Sequence, residues 1–339
     1  MTEFLKYLKI LSLITLAILS GCIPNSLIET PTSLPQATTT NLPSLKHQLT
    51  YVMPFKEDGI EYQGLFAMDV QCLDKAIPCF GSPQLLLSIP MQSDTNSLNP
   101  YGEISSYSWS PSGLKIAFSA VGKGERSDIF VADWNGDNLK NITMSPESER
   151  SPSWSTDNRL VYTFCSGRCH AVIASENGTD ATVFPFDSAV GFAAWMPDGE
   201  NILFIGADDK SVYQIYTANV NGSDIKQITQ TVENNIVEDA STNGKLIFFT
   251  RSQTYLNNNF NTNIFSIDID AKVENSITAD IELLSGSPSI SLFSDLLAFE
   301  QGRGAYDIYV SSLDGTQIVQ VTSGAGDKRA PEWRIIVNP

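Results

Sequence analysis

The sequence predicts an all-β protein, a six-bladed β-propeller of four-stranded blades, with the ring closed by N-terminal strands plus a C-terminal strand. Three observations predict it. A tryptophan-centred phrase recurs along the chain. A second phrase with an Asn-Gly or Asp-Gly turn follows each copy. No segment sustains a helical period.

The first phrase reads YSWSPSGLKIAF at Trp109, PSWSTDNRLVYTF at Trp154 and AAWMPDGENILF at Trp195. Ala240 in EDASTNGKLIFF and Ile290 in SISLFSDLLAFE stand in the tryptophan's place, and APEWRIIVN carries Trp333 near the C-terminus. The spacings are 45, 41, 45, 50 and 43 residues, the period of a four-stranded blade. Each phrase reads as strand a, a tight polar turn and strand b. The second phrase runs from DIFVADWNGDNLKNIT to DIYVSSLDGTQIVQVT and reads as strand c, a hairpin turn and a short strand d ending at Thr. Five units are complete between about residues 103 and 322. QLTYVMPF, GLFAMDVQC and QLLLSIP supply b, c and d of a sixth blade, and the strand around Trp333 supplies its a. The tryptophan is expected at the inter-blade interface, since a blade cannot bury both faces alone.

The phrase WSPSGLKIAF, with the lead-ins RSPSW at 150–154 and RAPEW at 329–333, resembles the TolB-type propeller repeat. The resemblance covers about residues 100–339, and 47–90 by inference. It implies a propeller and a role in joining envelope complexes. It carries over no partner, because TolB's partner-binding arm belongs to another domain.

Residues 1–21 read as a signal peptide, with Lys6 and Lys9 ahead of ILSLITLAILS. LSGC, ending at Cys22, resembles the bacterial lipobox, which implies a lipid on Cys22 and cleavage before it. A plain signal peptide or an N-terminal anchor is the alternative. Residues 22–46, rich in Thr, Ser and Pro, read as a tether, and 47–339 as the propeller. The expected location is extracytoplasmic, held to the cell membrane, periplasmic or at the cell surface. Four further cysteines in an exported chain favour disulfides, here the local pairs Cys72–Cys79 and Cys165–Cys169. A metal site using Cys169 and His170 is the alternative reading of one pair.

The formal net charge of −17 and a pI of about 4.4 exclude a nucleic-acid partner. No Gly-x-Ser-x-Gly elbow occurs, no sialidase-type turn matches, and the two histidines, His47 and His170, lie far from any triad pattern. Expected, therefore, are no catalytic residues, no metal and no cofactor. The expected function is a monomeric, non-enzymatic module that binds an envelope protein. A glycan or small-ligand site at the channel mouth is the alternative, followed by a carboxylate-based lyase or hydrolase. The turns between a and b and between c and d share one face, rich in Asp. The d–a and b–c loops share the other, where the run 251–263 is the longest loop. That loop face is the expected binding surface, with Glu149, Arg150, Tyr255, Phe260, Lys328 and Arg329 as candidates.

Overall fold

The computed structural model describes residues 45–71, 76–92, 100–122, 126–230, 235–254, 260–278 and 283–337. Among them lie 25 strands and no helix. Leu45–Glu57 (β1) and Ile60–Gln71 (β2) form a long hairpin, followed by Cys79–Phe80 (β3) and Gln84–Pro90 (β4). Five complete blades follow. Blade I holds Tyr101–Trp109 (β5), Lys115–Val121 (β6), Ser127–Asp133 (β7) and Lys140–Asn141 (β8). Blade II holds Ser148–Trp154 (β9), Arg159–Ser166 (β10), Arg168–Ser175 (β11) and Thr182–Val183 (β12). Blade III holds Val190–Trp195 (β13), Asn201–Ala207 (β14), Tyr213–Asn219 (β15) and Lys226–Gln227 (β16). Blade IV holds Asn235–Thr242 (β17), Leu246–Thr254 (β18), Phe260–Asp268 (β19) and Glu274–Ser276 (β20). Blade V holds Leu284–Ile290 (β21), Leu296–Gly302 (β22), Tyr306–Ser312 (β23) and Ile318–Gln320 (β24). The last strand is Arg329–Val337 (β25).

Each complete blade is an antiparallel sheet in the order a-b-c-d, and the closing blade runs β25-β1-β2 with β3 and β4 both on β2. The six blades form a ring. The terminal Thr of strand d explains a recurrent residue of the second phrase. Thr143, Thr229, Thr278 and Thr322 each accept the strand-c backbone N–H of Ile129, Ile215, Ile264 or Ile308 at 2.8–3.1 Å. A hydroxyl thus holds the outer strand where the backbone ladder is short.

The core lies between blades. Trp195 packs with Val161, Ala171 and Ile173 of blade II and with Ile202 and Phe204 of its own. Trp109 packs with Val52, Leu65 and Leu87 of the closing blade, and Trp333 with Leu296, Ala298 and Ile308 of blade V. Full burial of one such side chain stabilises by about 1.5–3 kcal/mol.

Blade IV departs from the expected alignment. Elsewhere the tryptophan pairs with the first buried residue of strand b: Trp109 with Ile116, Trp154 with Leu160, Trp195 with Ile202. In blade IV it is Thr242 that pairs with Ile247, while Ala240 pairs with Phe249 as Tyr107 does with Phe118. The a–b turn is two residues shorter there than in blades I, III and V, so Ala240 sits one pleat upstream. The run expected as a loop, 251–263, is mostly ladder: Arg251 pairs with Asn263 and Thr254 with Phe260. Alternating Thr and Asn with aromatics suits a strand extension as well as a loop.

Closure by both ends holds. β25 pairs with β1 from Leu45–Val337 to Val52–Arg329. Thr50 is the hub. Its hydroxyl donates to Glu332 O at 2.9 Å and accepts from Trp109 Nε1 at 3.0 Å. With its one proton committed, it takes the Tyr107 hydroxyl as donor, at 3.0 Å. Arg334, 2% exposed, donates to Gly113 O and Gln48 Oε1 at 2.8 Å each, and its guanidinium lies 4.2 Å over the Trp109 ring. Burial lowers the Arg334 pKa to about 10, so it stays charged at neutral pH. Gly113 has φ +68°, and a Cβ there would collide with the Ile335 carbonyl. The Gly of that first Pro-x-Gly turn is therefore required by the closing strand as well as by the turn.

Candidate functional site

The a strands contact one another around the ring and wall a central channel with a cavity of about 780 Å³. A β-bulge in each a strand sets which side chains enter it. Ser151, Ser287 and Ala330, each just before a proline, have φ of 54°, 50° and 49°. That left-handed step is rare for such residues, and the surrounding pairing must hold it in place.

The residues one before the tryptophan position form a belt round the channel: Ser108, Ser153, Ala194, Ser241, Ser289 and Glu332. Ser108 Oγ accepts from Trp154 N at 3.3 Å, Ser153 Oγ from Trp195 N at 3.1 Å, and Ser241 Oγ from Ile290 N at 3.0 Å. The belt therefore stitches blade I to II, II to III and IV to V. Glu332 is its one acid and accepts the Ser289 hydroxyl at 2.9 Å. Burial pushes the Glu332 carboxyl up to about 7; the Ser289 hydrogen bond opposes this and the Asp239 charge adds to it. Asp239 lines the same cavity and accepts from Thr250 Oγ1 at 2.8 Å. Among the described residues, Arg150, Asp239 and Glu332 are the charged ones in the lining.

The two ends of the channel differ. Arg150 stands at the loop end, its Nη2 3.8 Å from Cys169 Sγ. Leu292 and Phe293, each 55% exposed, stand at the a–b turn end with Pro111, Pro197 and Met196. The acids of that face hold their own turns. Asp198 accepts from Glu200 N and Asn201 N, and Asp314 from the Ser312 hydroxyl, which leads the contacts that lower its pKa to about 2.

The candidate residues of the loop face divide. Arg150 enters the channel. Glu149 is 1% exposed, takes the Ser145 hydroxyl at 2.6 Å, and has its pKa raised by burial. Lys328, 3% exposed, donates to Gly324 O at 2.7 Å and pairs with Asp307 at 3.0 Å. Arg329 pairs with Glu300 and Asp327 and lies 3.4 Å from the Tyr306 ring centre. Both cations hold the d–a loop to blade V. Phe260 opens β19, and Tyr255 lies outside the described residues. Cys165 and Cys169 form a disulfide across the tip of the β10–β11 hairpin, with S–S 2.08 Å. Cys72 and Cys22 lie outside the described residues. Sequence reasoning missed Glu332 and Asp239. The available signal was the E of RAPEW, where other copies have Ser or Ala.

No known family profile matches the chain, and no curated protein matches it. Solved structures do. TolB from Acinetobacter baumannii matches with a TM-score of 0.64 at 21% identity, over 85% of this chain and 66% of that one. A TolB candidate from Agrobacterium tumefaciens matches at TM-score 0.59 and 12% identity, over 87% of this chain and 99% of that one. The fold is a TolB-like six-bladed β-propeller. A chain of a nidogen–laminin complex also matches this TolB-like propeller, with a TM-score of 0.62 at 10% identity, covering 86% of this chain and 99% of its own. A puromycin hydrolase is among the further matches, so the architecture also occurs in enzymes.

Proposed function

We propose that this protein is a lipid-anchored, extracytoplasmic propeller that binds a segment of a partner protein at the a–b turn end of its channel. The carrying observation is the channel itself: an apolar, exposed mouth of Leu292 and Phe293 leading to a half-buried Glu332 and Asp239. Half-exposed apolar side chains at a concave mouth favour a partner that buries them. The moved preference, from loop face to turn face, follows from the internal pairing of Lys328 and Arg329. A small ligand is the second reading, favoured by a cavity volume within the range of small-molecule sites. The Cys165–Cys169 disulfide supports an oxidising compartment, and LSGC supports lipid on Cys22.

A photo-crosslinking residue at position 293 in living cells tests this reading. We expect it to trap a protein, and Glu332→Gln to reduce that trapping. Crosslinking from Arg303 on the loop face, with position 293 silent, overturns the choice of face. For the anchor, Cys22→Ser should move the protein out of the detergent phase.

A further inference from the structure

Five blades end in an outer strand too short to recruit another chain. β8, β12, β16, β20 and β24 hold two or three residues each. Such edges expose few unpaired backbone groups. The outer strand of the closing blade is different. β4 runs for seven residues, QLLLSIP, and carries no charge.

Its inner side is committed to β2, with Ile89 level with Gln63 and Leu87 with Leu65. Met91 N donates to Glu61 O at 2.9 Å, which sets the phase of the ladder. Residues 91, 89 and 87 turn their backbone groups toward β2, so Ser88 and, across the bulge at Leu86, Leu85 turn theirs outward. No strand pairs with that outer edge among the described residues. Pro90 ends the edge without an N–H.

Beside the edge lies a groove of about 400 Å³. Leu86, Leu87 and Ile89 wall it from β4, and Phe118, Ala132 and Leu139 from blade I. Its one charged lining residue is Asp137, whose carboxylate accepts from Asn135 Nδ2 at 2.7 Å. The usual protections of an edge are a charge on the strand, extreme shortness or a covering element. β4 has none of these among the described residues, and its bulge and Pro90, which also guard edges, leave the outward groups of Leu85 and Ser88 open.

We propose that β4 is a β-augmentation edge. An extended segment of a partner protein adds to it as a further strand, with apolar residues at alternate positions over the groove and one Lys or Arg toward Asp137. Charge selects this occupant over a second copy of the chain. The protein carries a net charge of −17, so a copy is repelled while a basic segment is drawn in. This site is independent of the channel and stands or falls without it.

The test is amide hydrogen exchange on the purified full chain with a synthetic peptide, Arg-Val-Thr-Val-Thr-Val-Thr, capped at both ends. Exchange at the Ser88 and Leu85 amides should slow by about tenfold at saturating peptide. The same peptide N-methylated at alternate residues should give no protection, and one with Glu in place of Arg should bind several-fold more weakly. Ser88→Pro removes the outward N–H at a position where an edge strand tolerates proline. It should abolish protection at Leu85 with the melting temperature unchanged. Should that variant melt early, Leu85→Lys serves instead, placing a charge on the edge at a half-exposed position. Unchanged exchange at both amides, or equal protection by the methylated peptide, overturns the proposal. Protection that rises with protein concentration alone, with a dimer by sedimentation, overturns the choice of occupant and leaves the edge to self-pairing.

Discussion

Glu332 is the residue where position most changes chemistry. In the unfolded chain its carboxyl titrates near the ordinary 4.5; in the channel wall it titrates near 7. Between those values the folded state holds more protons than the unfolded state. Stability from this group is therefore present below about 4.5 and falls as pH rises through 7. A gap of that size between the folded and unfolded carboxyl is worth about 3 kcal/mol at most. Glu332→Gln keeps an acceptor for Ser289 and removes the titration. Urea midpoints should separate from those of the wild type as pH rises, with the variant more stable at pH 8 and the two close at pH 4.5. Parallel curves would show that the carboxyl ionises freely. Comparing the two proteins also cancels the opposite trend of Asp157, Asp198 and Asp314, whose lowered pKa values remove stability as pH falls.

At the scale of the strand, the closing interface is built differently from the internal ones. Trp109 and Trp333 donate their indole N–H, to Thr50 Oγ1 and Ser289 O, both at 3.0 Å. Trp154 and Trp195 share clusters with Ala117 and Val161, and their indole nitrogens have no partner among the described residues. Thr50 occupies the register position that Ala117 and Val161 hold in blades I and II. Replacing it by the isosteric Val leaves two buried donors, Trp109 Nε1 and Tyr107 OH, without an acceptor. Thr50→Val should cost about 3 kcal/mol in chemical unfolding, from a penalty of ~1–3 kcal/mol per orphaned group. A cost below ~0.5 kcal/mol would show that the hub is dispensable.

For the whole molecule, the ring is closed by one strand that both chain ends must build. Deleting residues 329–339 removes β25, the Trp333 contacts with blade V and the Arg334 contacts with blade I. The remaining blades then expose two interfaces and the edge of β1. The loss should exceed the ~5–15 kcal/mol by which a domain is stable, giving aggregation or no soluble product. A deletion variant melting near the wild type rules out dependence on this closure. The alternation of strands with Gly-bearing turns made that architecture legible in residues 103–322, because each blade is specified by local pattern. The split blade was legible only as what remained, and it is right for that reason: a ring has no other place for QLTYVMPF and APEWRIIV.

The sequence by itself determined most of the strands, their order, the six-fold repeat and the tryptophan at four of the six repeat positions. Those features depend on period-two alternation and turn chemistry, which act over a few residues. It also marked the Cys165–Cys169 pair, five residues bracketing one hairpin tip. Only the tertiary structure decided the rest. The shorter turn of blade IV moved Ala240 off the tryptophan position, a shift set by pairing with Ile247. Lys328 became buried and Arg329 paired within the chain because blade V supplied Asp307 and Glu300. Glu332 met the Asp239 charge across a channel that no local pattern describes. The long edge of β4 stayed open because one side pairs with β2 and no described strand pairs with the other. Contacts between residues far apart in the chain depend on how the blades stack, and the chain's local pattern contains no record of that distance.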